Sequence, residues 1–267
     1  MAIKNAGLKP SDIQLIIVAT ITPDHPFPST ACLLQEKLEI KHIPAFDVSA
    51  ACTGFIYASD IARQYIENGV YENILVIGAE TLTRITNMND RNTCVLFGDG
   101  AGAVVYSLAH EADIEKFIDS HIEADGSKWK LLQQKAGGSC LPSSKQTVEE
   151  NLHTIYMEGN KIFKFATKTM VNTCNVLIKR NELELNDINW LIPHQANSRI
   201  IQSVGKKLKI DPTKVIVNIQ KYGNTSSATI PIALAEAIEM QIIRKRDLVL
   251  VTAFGGGLTA GSMLIRI

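Results

Sequence analysis

The sequence predicts an α/β fold with mostly parallel strand pairing, and three observations carry that expectation. Short apolar runs rich in Ile and Val alternate with stretches of helical period. Two pairs of segments resemble each other at a fixed offset of about 175 residues, the mark of a repeated structural unit. The chain of 267 residues is 46% hydrophobic, which supplies a sizeable core.

Leu15 to Ala19, Ala45 to Val48 and Ile74 to Ile77 have strand length and composition. Ser29 to Leu38 and Thr53 to Ile66 read as helices. In the second, Phe55, Ile56, Ile61, Ala62, Tyr65 and Ile66 form an apolar stripe, and Asn68-Gly69 is a stop signal. In the repeat, Ser11-Asp12-Ile13-Gln14-Leu15-Ile16 is similar to Asn186-Asp187-Ile188-Asn189-Trp190-Leu191. Asn73-Ile74-Leu75-Val76-Ile77-Gly78 is similar to Asp247-Leu248-Val249-Leu250-Val251-Thr252. Generic strand patterns also produce such likeness, but a fixed offset favours duplication. A duplicated fold follows, with one half over residues 1–110 and the other over 111–267. Residues 125–150, rich in Gly, Ser, Lys and Gln, read as a long polar excursion, either a functional lid or a mobile loop.

Net charge is formally 0, which leaves no footprint of nucleic-acid binding. No run approaches the roughly 18 apolar residues of a membrane span. Residues 1–10 hold no apolar signal core. Cys32, Cys52, Cys94, Cys140 and Cys174 form no CxxC and no metal-like spacing with His, so no metal is expected. An odd cysteine count suggests a reducing, cytoplasmic setting.

Four short stretches can carry chemistry. Cys52 lies in Phe46-Asp47-Val48-Ser49-Ala50-Ala51-Cys52-Thr53-Gly54-Phe55, where a strand ends and a helix begins. A helix N-terminus favours a thiolate and should lower the thiol pKa. A buried inert cysteine is the competing reading. His194 follows the apolar run Trp190 to Pro193, at the carboxyl end of a strand, where α/β proteins place ligands. An ordinary satisfied histidine fits there too. Asn224, in Tyr222-Gly223-Asn224-Thr225-Ser226-Ser227-Ala228, precedes an Ala-rich helix (Ile232 to Met240) and could be only a cap. Phe254-Gly255-Gly256-Gly257 follows the strand Leu248 to Val251. Its backbone N–H groups can approach an oxyanion closely, or the glycines can serve a plain turn. Gly98-Asp99-Gly100-Ala101-Gly102 lacks the strand–glycine–helix plan of a dinucleotide site and reads as close packing.

Taken in chain order, Cys, His, Asn and triple Gly resemble the thiolase-like condensing enzymes. The likeness is strongest to the beta-ketoacyl-acyl-carrier-protein synthase III family. Matching stretches run from Asp47 to Phe55, Phe97 to Ala103, Pro193 to Ile201, Gly223 to Ser227 and Phe254 to Gly257. Elongating synthases of that fold place a second His where Asn224 stands, and thiolases use a second Cys. The resemblance implies a thiolase-like duplication of α/β/α layers with two mixed five-stranded sheets.

It also implies a reaction. Cys52 takes an acyl group, expected to be acetyl, from acyl-CoA, with the N–H groups of Cys52 and Gly256 as oxyanion hole. His194 and Asn224 then stabilise the enolate formed when malonyl-acyl-carrier protein loses carbon dioxide. Arg91, Asn160, Phe163, Ala196 and Asn197 match residues lining the CoA and pantetheine tunnel. Phe27 matches a residue that crosses a homodimer interface toward the acyl pocket. Arg199, Lys206 and Lys207 match a basic surface for the acidic carrier protein; a solvated helix face is the plainer reading. No cofactor is implied, since acyl-CoA is a substrate. Family members begin with a Gly-rich strand, a helix and a Trp/Arg segment ahead of the point where this chain starts. The first half is therefore expected to lack its N-terminal strand, with weaker CoA binding and lower stability. A related acyltransferase or polyketide-starter enzyme, and an inactive truncated fragment, remain the alternatives.

Overall fold

A computed structural model describes residues 1–109 and 116–267, so the expected boundary between halves at 110/111 lies outside the described residues. The first half runs α1 (Ala2–Asn5), β1 (Leu15–Ala19), α2 (Thr30–Lys37), β2 (Ala45–Val48), α3 (Gly54–Glu67), β3 (Asn73–Thr81) and β4 (Asp99–Ser107). The second runs β5 (Lys116–Ala124), β6 (Leu132–Gln134), α4 (Lys145–Glu149), β7 (Ile155–Met157), α5 (Gly159–Arg180), β8 (Trp190–Pro193) and α6 (Ser198–Lys207). It ends with α7 (Ile219–Tyr222), α8 (Thr229–Glu239), β9 (Leu248–Gly255) and β10 (Thr259–Arg266).

Two mixed sheets form, in the orders β2-β1-β3-β4 and β5-β10-β9-β8. In the first, β1 and β3 are parallel and β3 and β4 antiparallel. In the second, β8 and β9 are parallel and β9 and β10 antiparallel. The register repeats as well: Leu15 pairs with Ile74 and Trp190 with Val249, the same pair displaced by one offset.

Strands apolar on both faces need cover on both sides. In the first sheet Leu15, Ile17, Ile74 and Val76 face inward, while Ile16, Val18, Leu75 and Ile77 face outward toward α2. In the second, Val249, Val251, Met263 and Ile265 face inward, while Leu248, Leu250 and Leu264 face outward toward α5 and α6. Helices α3 and α8 fill the space between the sheets and touch both. The central core is thus shared by the two halves.

The structure corrects the expected strand count of the second large sheet, four rather than five, while the first has the four expected of a half without one strand. Ahead of β1 the chain forms α1 and a 3-10 turn at Pro10–Asp12, where the Asp12 carboxylate accepts from the Lys9 N–H. In the second half, Val215 meets β8 through a single bridge to Leu191. Beyond it the Asn218 N–H donates to the Gln195 side chain, which ends any strand there. Residues 125–150 are also more ordered than a plain loop. They hold a 3-10 turn, β6 and α4, and β6 pairs with β7.

Glycines set how closely the layers meet. A methyl group built on Gly78 of β3 would lie 2.4 Å from the Ser227 carbonyl oxygen. On β4, one on Gly102 would lie 2.8 Å from the Ile232 nitrogen of α8. The glycines of 98–102 serve this close approach.

Candidate active site

The end of β2 leads through Ala51, held at φ +47°, into a 3-10 turn (Ala51–Thr53) that continues as α3. A left-handed backbone at a residue with a side chain is costly and persists only where the surroundings impose it. The turn presents Cys52, 9% exposed. Beside it, a methyl group on Gly255 would come 2.8 Å from the Cys52 nitrogen, so only glycine lets this strand end lie against the cysteine backbone. The Thr259 hydroxyl lies 3.0 Å from the Ala50 carbonyl and pins the start of β10 to the same turn.

His194 follows β8 and is 2% exposed. Its N–H donates to Thr252 O at 2.7 Å, and its ring Nδ1 lies 2.7 Å from Thr229 Oγ1. Burial pushes the imidazole down to about 3, so the ring is neutral at physiological pH. The next residue, Gln195, spends its amide on the Pro193 and Ile216 carbonyls and on the Asn218 N–H, and so clamps the loop that carries the histidine.

Asn224 is held across the molecule by the first half. Its N–H donates to Leu96 O at 2.8 Å, and its carbonyl accepts from the Gly98 N–H at 3.0 Å. Its Oδ1 accepts from the Ser226 N–H at 2.8 Å. With the oxygen engaged, the amide Nδ2 is the end left to donate.

One cavity of about 1130 Å³ is lined by Cys52, His194 and Asn224 together. Of the other expected residues, Asn160, Phe163, Ala196, Asn197 and Arg199 line it too, and Asn197 also caps α6 by accepting from the Ile200 N–H. Arg91 does not line it, although Asp90 and Asn92 on either side do. Gly256 is not in the lining; it packs near Leu132 and Ala51, next to the cysteine turn. Phe27 stands 84% exposed, away from this wall. Lys206 and Lys207 are exposed on α6, outside the cavity. Leu132, Lys135 and Glu150 bring the 125–150 segment to its rim.

The expected lowering of the Cys52 pKa is overturned. Burial pushes the thiol up to about 12, the nearby Glu80 carboxylate adds to that, and only the Ser226 side chain and the backbone amide oppose it. Desolvation outweighs the short turn's partial charge. Sequence reasoning missed Glu80 altogether. It is buried at the end of β3, accepts from the Ile21 N–H and from the Thr22 and Ser227 hydroxyls, and burial raises its pKa. Ser226 Oγ is buried without a hydrogen bond of full geometry, yet it favours the ionised forms of both Cys52 and Glu80. A carboxylate after an apolar strand reads as a surface charge, and the serines read as helix caps, so neither signalled a site.

Among the described residues no cluster of three or more His, Cys, Asp or Glu side chains could hold a metal ion. No helix among them is long and apolar enough to cross a membrane.

Two duplicated α/β halves, with the cysteine turn on one and the histidine and asparagine on the other, define a condensing enzyme of the thiolase fold. Comparison with known proteins narrows the class. A family model described as 3-oxoacyl-[acyl-carrier-protein (ACP)] synthase III matches residues 46–126, and its C-terminal counterpart matches residues 178–267. The chain is 51% identical over 265 residues to the beta-ketoacyl-[acyl-carrier-protein] synthase III of Caldanaerobacter subterraneus subsp. tengcongensis, covering 99% of this chain and 80% of that protein. The synthase III of Natranaerobius thermophilus is 51% identical over 267 residues, covering 100% of this chain and 81% of the relative. The crystal structure of 3-oxoacyl-[acyl-carrier-protein] synthase III from Aquifex aeolicus VF5 superposes with a TM-score of 0.91 at 46% identity, over 100% of this chain and 81% of that one. The chain belongs to the beta-ketoacyl-acyl-carrier-protein synthase III family.

Proposed function

We propose that this family's reaction, the decarboxylating condensation of an acyl-CoA with malonyl-acyl-carrier protein that starts fatty-acid synthesis, runs through Cys52. The observation that carries the reading is one cavity wall presenting a thiol, a neutral imidazole and a carboxamide. The Cys52 sulfur attacks the acyl thioester, and the N–H groups of Cys52 and Gly256 receive the oxyanion. CoA leaves. Asn224 then donates to the malonyl thioester oxygen, with His194 beside it, as carbon dioxide departs. The carbanion attacks acyl-Cys52 and releases the beta-ketoacyl product.

Further parts of the reading rest on position. Asn160, Phe163, Ala196 and Asn197 border the path of the pantetheine arm, and Arg91 belongs at its outer end. Arg199, Lys206 and Lys207 share α6 at the mouth and suit an acidic carrier protein. A homodimer is supported by the exposure of Phe27, Met88 and Val95 on the first half, large apolar side chains that a second copy would cover. Residues 1–110 and 111–267 form the two halves of a cytoplasmic enzyme that needs no cofactor.

Intact-mass measurement after incubation with acetyl-CoA tests the core of this. An acetyl adduct should form on the native chain and vanish in Cys52→Ala. Addition of malonyl-carrier protein should discharge it with release of carbon dioxide. An adduct that survives in Cys52→Ala, or carbon dioxide release without a new carbon–carbon bond, overturns the reading.

A further inference from the structure

Helix α8 meets the His194 loop and the Asn224 loop at two levels. At its first residue, the Thr229 hydroxyl donates to Ser226 O at 2.9 Å and lies 2.7 Å from His194 Nδ1. Two turns on, about 10 Å along the same face, stands Glu236. Its carboxylate gathers three donors. Oε2 accepts from Asn218 Nδ2 at 2.9 Å, and Oε1 accepts from the Tyr222 hydroxyl at 3.0 Å and from the Lys221 ammonium. These donors belong to one stretch, α7 and the Asn218 that precedes it, which runs directly into Gly223 and Asn224. Asn218 also binds in a second direction, because its backbone N–H donates at 3.0 Å to the side chain of Gln195, the residue after His194. A line of hydrogen bonds therefore joins the histidine loop to the asparagine loop through Glu236. A helix of one turn does not hold itself, so α7 takes its place from these side-chain contacts. The Lys221 side chain is 61% exposed and adds little. Asn218 is buried, so its contact carries more.

We infer that Glu236, which stands outside the cavity wall, is a positioning residue for the malonyl step: it ties the α7 turn to α8 and so sets where Asn224 stands relative to His194. The inference rests on the reading that these two side chains act on the malonyl thioester. That step needs both of them placed together, and a small displacement of one is expensive. Acylation of Cys52 depends on the turn at Ala51–Thr53 in the first half, which Glu236 does not touch. Loss of the Glu236 carboxylate therefore weakens one half-reaction and spares the other.

The test compares the full native chain with Glu236→Ala, with Glu236→Gln, and with Glu239→Ala as an exposed control on the same helix. In Glu236→Ala, malonyl decarboxylation at saturating malonyl-carrier protein should fall about tenfold, while single-turnover acylation by acetyl-CoA stays within about twofold of native. Glu236→Gln keeps an acceptor for Tyr222 and a partner for an Asn218 amide turned over, and should recover most of the loss. Asn218→Ala should weaken decarboxylation in the native background and add little to Glu236→Ala, because the two act as one link. Amide exchange over residues 216–224 should speed up in Glu236→Ala and stay native in Glu239→Ala. Native decarboxylation in Glu236→Ala overturns the inference, and so does an equal loss in both half-reactions, which marks general destabilisation. If the native chain neither acylates Cys52 nor decarboxylates, the functional reading fails. Unchanged exchange over residues 216–224 in Glu236→Ala overturns this inference separately, whatever the activity.

Discussion

The two halves share a plan and differ in how they are finished. β10 is paired on both sides, with β9 along its whole length and with β5, and six of its eight residues are buried. Its counterpart β4 is paired with β3, has no strand on its other side among the described residues, and buries none of its nine residues fully. The first half instead carries the strained turn with Cys52, the proposed nucleophile, and the second carries His194 and Asn224, the side chains proposed to work on the incoming substrate. Repetition supplied two similar scaffolds, and their ends were put to unlike uses.

The division of labour is the first place to break this comparison, and the effect is the largest. Asn224→Ala should lower malonyl decarboxylation about 10²–10³-fold, the usual loss on removing one oxyanion donor, and leave acylation of Cys52 by acetyl-CoA near native. Equal loss in both half-reactions, followed separately by rapid quench, would show that the halves do not divide the chemistry. The seam between them gives the next effect. Gly78→Ala drives a methyl group into Ser227 O and should destabilise by about 1–3 kcal/mol in urea unfolding. Gly126→Ala, with open space around it, should stay within about 0.5 kcal/mol of native. The smallest difference lies in the sheets themselves. Amide exchange should be slower along β10 than along β4, because alternate N–H groups of an edge strand face away from any partner. Equal protection would mean that a second copy or another chain covers β4.

Much of this arrangement was legible in the sequence. β1 and β2 fall where their Ile- and Val-rich runs lie, and α3 begins one residue from its expected start. The repeat was visible because strands buried on both faces keep an apolar pattern that survives duplication. Cys52, His194 and Asn224 were visible through their order along the chain with the triple Gly, since each alone also fitted a plainer role. What stayed hidden depends on tertiary neighbours. The direction of the Cys52 pKa is set by how much protein surrounds the sulfur, which local helix position does not encode. Glu80 and Thr229 meet hydrogen-bond partners 147 and 35 residues away, so no local pattern marks them. α8 begins at Thr229, ahead of the expected Ile232, because Pro231 fits the first turn of a helix, where no N–H partner is needed. The fifth strand of the second sheet was carried over from the resemblance rather than read from these residues.

The bridge between Phe97 and Asn224 has a consequence for how such a chain can change over time. A methyl group on Gly98 would lie 2.3 Å from the Tyr222 carbonyl oxygen, and Gly223, at φ +68°, crowds the Leu96 carbonyl in return. Each half keeps a bare backbone where the other meets it. A side chain at either position would push on the loop that holds the Asn224 carboxamide, so substitution in one half is constrained by the other.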